Sequence, residues 1–175
     1  MNASRIDPFR RQYELVRALF EYHLERVEPG DLRWEPAPVC WTVRRTPEGA
    51  WVPDWSDTEP DPVPAPTIAW LGWHVGWWWG VTVDHLRGRP PRAREEITWP
   101  GDEGAVEWLR GLCAQWSAVL DDLEGTDLDA EAPFPWPEGS GFTVLDTVAW
   151  VNAELMKNVA EIGQLRLLRA ASGRE

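Results

Sequence analysis

Glu154 and Asn158 stand four residues apart in the run TVAWVNAELMKNVAEIGQ, so a helix stacks them on one face. They adjoin the apolar positions Val151, Leu155 and Ile162, at the edge of the core such a helix would bury. Glu161 prolongs the same polar strip. His74 lies midway along another helical segment, among tryptophans. If those two segments pack together, an imidazole, a carboxylate and an amide meet. Imidazole plus carboxylate with an open position is the donor set of a catalytic divalent metal. A structural reading competes with this one. A metal wants about three strong donors, and an amide oxygen is a weak, neutral one. A lone buried histidine commonly bonds a carbonyl or a neighbouring acid. Glu154 and Asn158 can likewise bond each other. Spacing alone leaves both readings open.

The remaining reactive side chains point away from catalysis, and no catalytic residue is assigned. His85 returns to the face of His74 eleven residues later, but a rise of ~1.5 Å per residue separates them by roughly 16 Å. It is expected to meet the last carbonyls of its helix. His23 stands one residue off an apolar stripe and can approach the core. Cys40 and Cys113 have no basic neighbour that would favour a thiolate, so both read as structural. There is no nucleophile elbow, glycine-rich phosphate loop or CxxC pair. Trp77, Trp78 and Trp79 cannot all be buried on one helical face. Some of them must line a groove, a contact with the long connection, or a subunit interface. A tryptophan-lined pocket would suit an apolar or sugar-like ligand. The alternative is that the long connection packs over the rings.

Four segments have the periodicity to position these groups. The first runs from Asp7 to Val27, with Asp7 as cap, Pro8 in the first turn, and Pro29-Gly30 as its stop. Phe9, Tyr13, Val16, Phe20, Leu24 and Val27 form its stripe. The second starts at the cap Thr67 and runs to Leu86. The third spans Asp102 to Leu123, with Val106, Leu109, Cys113, Trp116, Leu120 and Leu123 facing in and Gly125 ending it. The fourth spans Thr143 to Ala171, opens on a Thr143–Asp146 capping box, and carries the stripe Val144, Val148, Val151, Leu155, Val159, Ile162, Leu165. Between the first two lies a long Pro- and Trp-rich connection, residues 30–66. Within it CWTVRR-TPEG-AWVPDW reads as a short hairpin. The run EPDPVPAP is expected to be extended and unable to supply donors to a sheet. The expected fold class is all-α, a four-helix bundle in a single domain, 1–175.

Composition narrows the partners. In 175 residues there are 17 Lys plus Arg against 29 Asp plus Glu, a net charge of -12. That balance argues against nucleic acid and anionic membrane surfaces. The longest apolar stretch, residues 68–83, is shorter than the ~20 residues a membrane-spanning helix needs. The opening MNASRIDPFRR lacks the apolar core of a signal peptide. Two cysteines are too few for a disulfide framework. A cytoplasmic setting is expected. The unusual feature is 14 tryptophans.

The runs PAPTIAWLGWHVGWWWG and TVAWVNAELMKNVAEIGQLRLLR, with WEPAPVCWTVR and DPVPAPTIAW, resemble the DinB-like (DinB/YfiT) superfamily. The likeness is closest to its actinobacterial branch, related to mycothiol-dependent maleylpyruvate isomerase, and it covers nearly the whole chain. It implies a four-helix bundle, often a homodimer, with a divalent metal between helices. The ligands it implies are one His on the second helix and a His/His or Glu/His pair four apart on the last. His74 matches the first of these and Glu154 the second. Asn158 stands where the last His is expected, with Lys157 beside it. The resemblance thus implies one of two functions. One is a transferase or isomerase using a low-molecular-weight thiol and a divalent metal (Zn or Ni) at His74, Glu154 and Asn158. There the ion would lower the thiol's pKa. The other is a metal-free relative that binds a small molecule in a Trp-lined cavity or serves as a stress-associated binding protein.

Overall fold

Four helices carry most of the regular structure: α1 (Asp7–Leu24), α2 (Ile68–Leu86), α3 (Ala105–Asp122) and α4 (Val144–Ser172). The computed structural model describes residues 4–28, 30–123 and 127–173. Pro29 and Gly125, expected to end the first and third helices, lie outside the described residues. Both helices are shorter than the periodicity predicts. α1 closes at Leu24, where the Arg26 N–H bonds the His23 carbonyl at 3.0 Å and tightens the last turn. The cap of α1 also differs from expectation. Ile6 takes the N-cap position without a side-chain bond, and Asp7 is already helical. The Asp7 carboxylate instead accepts the Ser4 N–H at 2.9 Å.

α1 packs on α4 and α3, and α2 packs on α3 and α4. The expected stripes fill the space between them. Tyr13, Val16 and Phe20 of α1, Leu109 and Trp116 of α3, and Val148, Val151, Leu155, Val159 and Ile162 of α4 are all buried. Leu112 and Val119 of α3 join them. α2 is buried almost all round, including Trp73 and Trp79, as befits an interior helix. Glycine lets neighbours close in on it. A Cβ at Gly76 would overlap the Trp108 ring of α3, and one at Gly72 would come within 2.9 Å of Trp99. Each helical glycine costs about 1 kcal/mol against alanine, and here the close ring packing offsets that.

The long connection is not wholly irregular. β2 (Val43–Arg45) and β3 (Trp51–Pro53) form the predicted antiparallel hairpin, with Val43 opposite Pro53. Its turn is closed by the Gly49 N–H on the Thr46 carbonyl, with Gly49 at φ 91°, a conformation that favours glycine. β1 (Cys40–Trp41) and β4 (Ala65–Pro66) pair in parallel, which the proline run was not expected to allow. The reason is local. Ala65 and Thr67 keep their amide protons and donate them to Val39 and Trp41 carbonyls at 3.0 and 2.8 Å. The all-α expectation is therefore qualified by two small two-stranded sheets. Thr67 then turns the chain into α2, its Oγ1 accepting the Trp70 N–H at 3.2 Å. α4 opens on the predicted capping box. The Asp146 carboxylate accepts the Thr143 N–H at 2.8 Å, and Thr143 Oγ1 accepts the Asp146 N–H at 3.4 Å. Among the described residues no helix is long and apolar enough to cross a membrane.

Candidate functional site

The α2–α4 contact brings Trp78 onto Asn158. Asn158 is fully buried. An indole N–H can only donate, so the amide oxygen faces it: Asn158 Oδ1 accepts Trp78 Nε1–H at 3.2 Å. The other end of the amide, Nδ2, donates to Glu161 Oε2 at 3.0 Å. Lys157 lies on the outer side of the same helix. Its Nζ is 3.8 Å from Glu154 Oε2 and 3.7 Å from Glu161 Oε1, the contacts that three- and four-residue spacing permits. Glu154, Lys157, Glu161, Asn158 and Trp78 thus form one continuous polar network.

His74 sits beside this network in an aromatic setting. Its ring stacks on Trp70 at 5.0 Å and 9° and meets Trp77 edge-on at 5.8 Å. Burial lowers its pKa from 6.5 to about 4, and the nearby Lys157 charge adds to the effect. The imidazole is therefore neutral at pH 7. Its Nδ1 is buried with no hydrogen-bond partner among the described residues. Among the described residues, Glu154 pairs with Lys157, and neither a hydrogen bond nor an ion pair joins His74 to Glu154 or Asn158.

These donors suit a divalent ion poorly. A metal at Asn158 Oδ1 would displace the Trp78 N–H, and a buried donor left unpaired costs about 1–3 kcal/mol. A metal at Glu154 would compete with the Lys157 ammonium. Among the described residues that leaves the neutral His74 imidazole and the second oxygen of Glu154 as unengaged donors, short of the three a metal wants. Among the described residues no group of three or more His, Cys, Asp or Glu side chains is placed to hold an ion.

The other residues singled out in the sequence fall elsewhere. Burial pushes the Cys113 thiol up to about 11, and Cys40 Sγ donates to the Ala37 carbonyl at 2.8 Å. Both are half-buried free thiols. Among the described residues His85 makes no side-chain hydrogen bond to its helix's last carbonyls. It stacks flat on Phe134 at 5.3 Å and 10°, because the loop before α4 brings that ring across the helix end. His23 does reach the core side and is buried against Gly163. Burial lowers its pKa, with Arg166 and Arg26 contributing.

Sequence reasoning missed three features. Buried Asp84 holds Arg89 and Arg92, each at 2.8 Å, and so anchors the chain leaving α2. The signal was an acid followed by arginines five and eight residues on. Buried Asn152 ties α4 to α1 through the Phe9 carbonyl and Gln12, both at 3.0 Å. The third is an enclosure formed by the long connection. Trp41, Trp55 and Trp70 stack together, and Trp55 meets Trp77 edge-on at 5.2 Å. The connection therefore packs over the α2 rings, yet it leaves a cavity of about 350 Å³ between Trp51, Trp55, Trp73 and Arg94.

The fold and site define a helical protein whose α2–α4 contact carries an amide-centred polar network beside a tryptophan stack. The family model of the DinB superfamily matches residues 12–162, and the chain belongs to that superfamily. Comparisons with curated proteins and with solved structures give no match.

Proposed function

We propose that this chain is a metal-independent, small-molecule-binding member of the DinB superfamily, built on that family's four-helix bundle. One observation carries the reading. Asn158, which stands where the family resemblance expects an imidazole ligand, has both ends of its amide engaged by Trp78 and Glu161. Lys157 supplies a positive charge between Glu154 and Glu161, the place where a cation would otherwise be drawn. The aromatic enclosure over α2 supports ligand binding, since small-molecule sites are mostly apolar concavities with a few polar groups at their edges.

The test is elemental analysis of untagged protein purified without chelator, followed by titration with Zn²⁺ and Ni²⁺ under tryptophan fluorescence. No stoichiometric metal and no response to either ion is expected. One equivalent of metal in the wild type, absent in His74→Ala, would overturn the proposal.

A second reading is favoured by the unpartnered Nδ1 of His74, since buried polar atoms in native proteins ordinarily have a partner. On that reading His74 and Glu154 hold a zinc or nickel ion and the protein serves a low-molecular-weight thiol. The same analysis separates the two.

A further inference from the structure

The cavity beneath the hairpin has a definite chemistry. Trp51 of β3 and Trp55 just beyond it form walls, and Trp73 of α2 lies behind them. Two of these indoles have already spent their N–H groups. Trp73 donates to the Ile97 carbonyl at 2.9 Å and Trp55 to Asp57 at 3.1 Å. Their faces are taken, Trp55 by Arg94 and by the Trp41 and Trp70 rings and Trp73 by Trp77, so they offer carbon edges, which favour another ring in an edge-on arrangement.

The rim excludes charge of either sign. Arg94 directs Nε and Nη2 at Glu95 Oε1, at 3.0 and 2.6 Å, and Nη1 lies 3.4 Å from Asp57. Two carboxylates thus answer the Arg94 guanidinium, and Asp102 answers Arg33 beside Trp51 at 2.8 Å, so among the described residues both guanidiniums at this rim are already paired. An organic cation meets like charge at both outer rings, with the Arg94 guanidinium 4.4 Å from the Trp55 ring and the Arg33 guanidinium 5.2 Å from the Trp51 ring. At about 350 Å³ the space is near the lower end of small-molecule sites. It suits one or two rings rather than a long chain or a dinucleotide.

We propose that this cavity binds a flat, uncharged aromatic molecule of one or two rings. The inference rests on the small-ligand part of the proposed function and gives it a place and a chemical class.

The experiment is calorimetric titration of the full chain with three probes of one shape: 2-naphthol, 2-naphthoate and N-methylquinolinium. 2-Naphthol should bind at least about tenfold more tightly than either charged probe. Trp51→Ala should weaken 2-naphthol by about tenfold or more. Trp136→Ala, in the remote Trp136–Phe142 stack, should leave it unchanged. Glu95→Lys alters an exposed side chain, so it probes the rim even if Trp51→Ala fails to fold. It should remove most of the preference for 2-naphthol over 2-naphthoate. Equal affinity for a charged probe in the wild type would overturn the inference. So would loss of binding in Trp136→Ala rather than Trp51→Ala, or no binding of 2-naphthol by folded wild type. Metal at His74 with 2-naphthol still held under the hairpin would defeat the proposed function alone. A metal-free protein that ignores 2-naphthol would defeat this inference alone.

Discussion

Replacing Asn158 by alanine tests whether that residue is a structural amide. The substitution removes the acceptor of Trp78 Nε1–H and the donor to Glu161. Glu161 is half exposed, so water replaces its lost bond at little cost. Trp78 is buried, and an unpaired buried N–H costs about 1–3 kcal/mol. Alanine returns about 0.5 kcal/mol through its higher helix propensity. The net loss should be about 1.5 kcal/mol, which for a chain of this length lowers Tm by roughly 3–6 °C. The assay is urea unfolding followed by far-UV circular dichroism, extended to Trp78→Phe and the double variant. The cycle should show a coupling of about 1 kcal/mol between the two residues. If Asn158→Ala unfolds within about 0.5 kcal/mol of wild type and the coupling vanishes, Asn158 is not held by Trp78 and the structural reading fails.

Three further outcomes follow from the same geometry. His74 is neutral and buried, with a folded-state pKa of about 4 against 6.5. Its stabilising effect is complete above pH 6.5 and drains away as pH falls toward 4, by up to about 3 kcal/mol. Unfolding measured across that interval should show the slope, and His74→Phe should flatten it. His23 is lowered in the same direction and will leave a residual slope. Gly76→Ala should destabilise the protein by about 1–3 kcal/mol despite the better helix former, because the added methyl overlaps Trp108. Trp108→Leu in the same chain should recover part of the loss in thermal unfolding. Thr143→Ala, which removes the hydroxyl of the α4 capping box, should cost about 1 kcal/mol in urea unfolding.

The helices were legible because their signals are local and repeated. Thr143–Asp146 and Thr67 cap as their residue types suggest, and the α4 stripe from Val144 to Leu165 is buried as its spacing implies. The hairpin was legible from Pro47 and Gly49. The β1–β4 pairing was not, because it joins residues 25 apart and hangs on two amides inside a proline-rich run. The site was half legible. Periodicity placed Glu154, Asn158 and Glu161 on one strip. The direction of each polar atom depends on which ring of α2 arrives opposite, and helical spacing does not encode that. Trp77, Trp78 and Trp79 are equivalent in the sequence, yet it is Trp78 that holds the amide. His85 went astray for the same reason: its partner Phe134 comes from another loop. The cavity under the hairpin needs Trp51, Trp55, Trp73 and Arg94 from three separate segments.

The metal content of the protein as purified tests the central claim most directly. Untagged wild type, His74→Ala and Asn158→His should be measured side by side by elemental analysis after exposure to Zn²⁺ and Ni²⁺. Wild type should carry far less than one equivalent and be indistinguishable from His74→Ala. Asn158→His, which supplies an imidazole four residues from Glu154, should hold more than wild type. One tightly held equivalent in wild type that disappears in His74→Ala would contradict the claim that the Asn158 amide and the Lys157 ammonium have taken the metal's place.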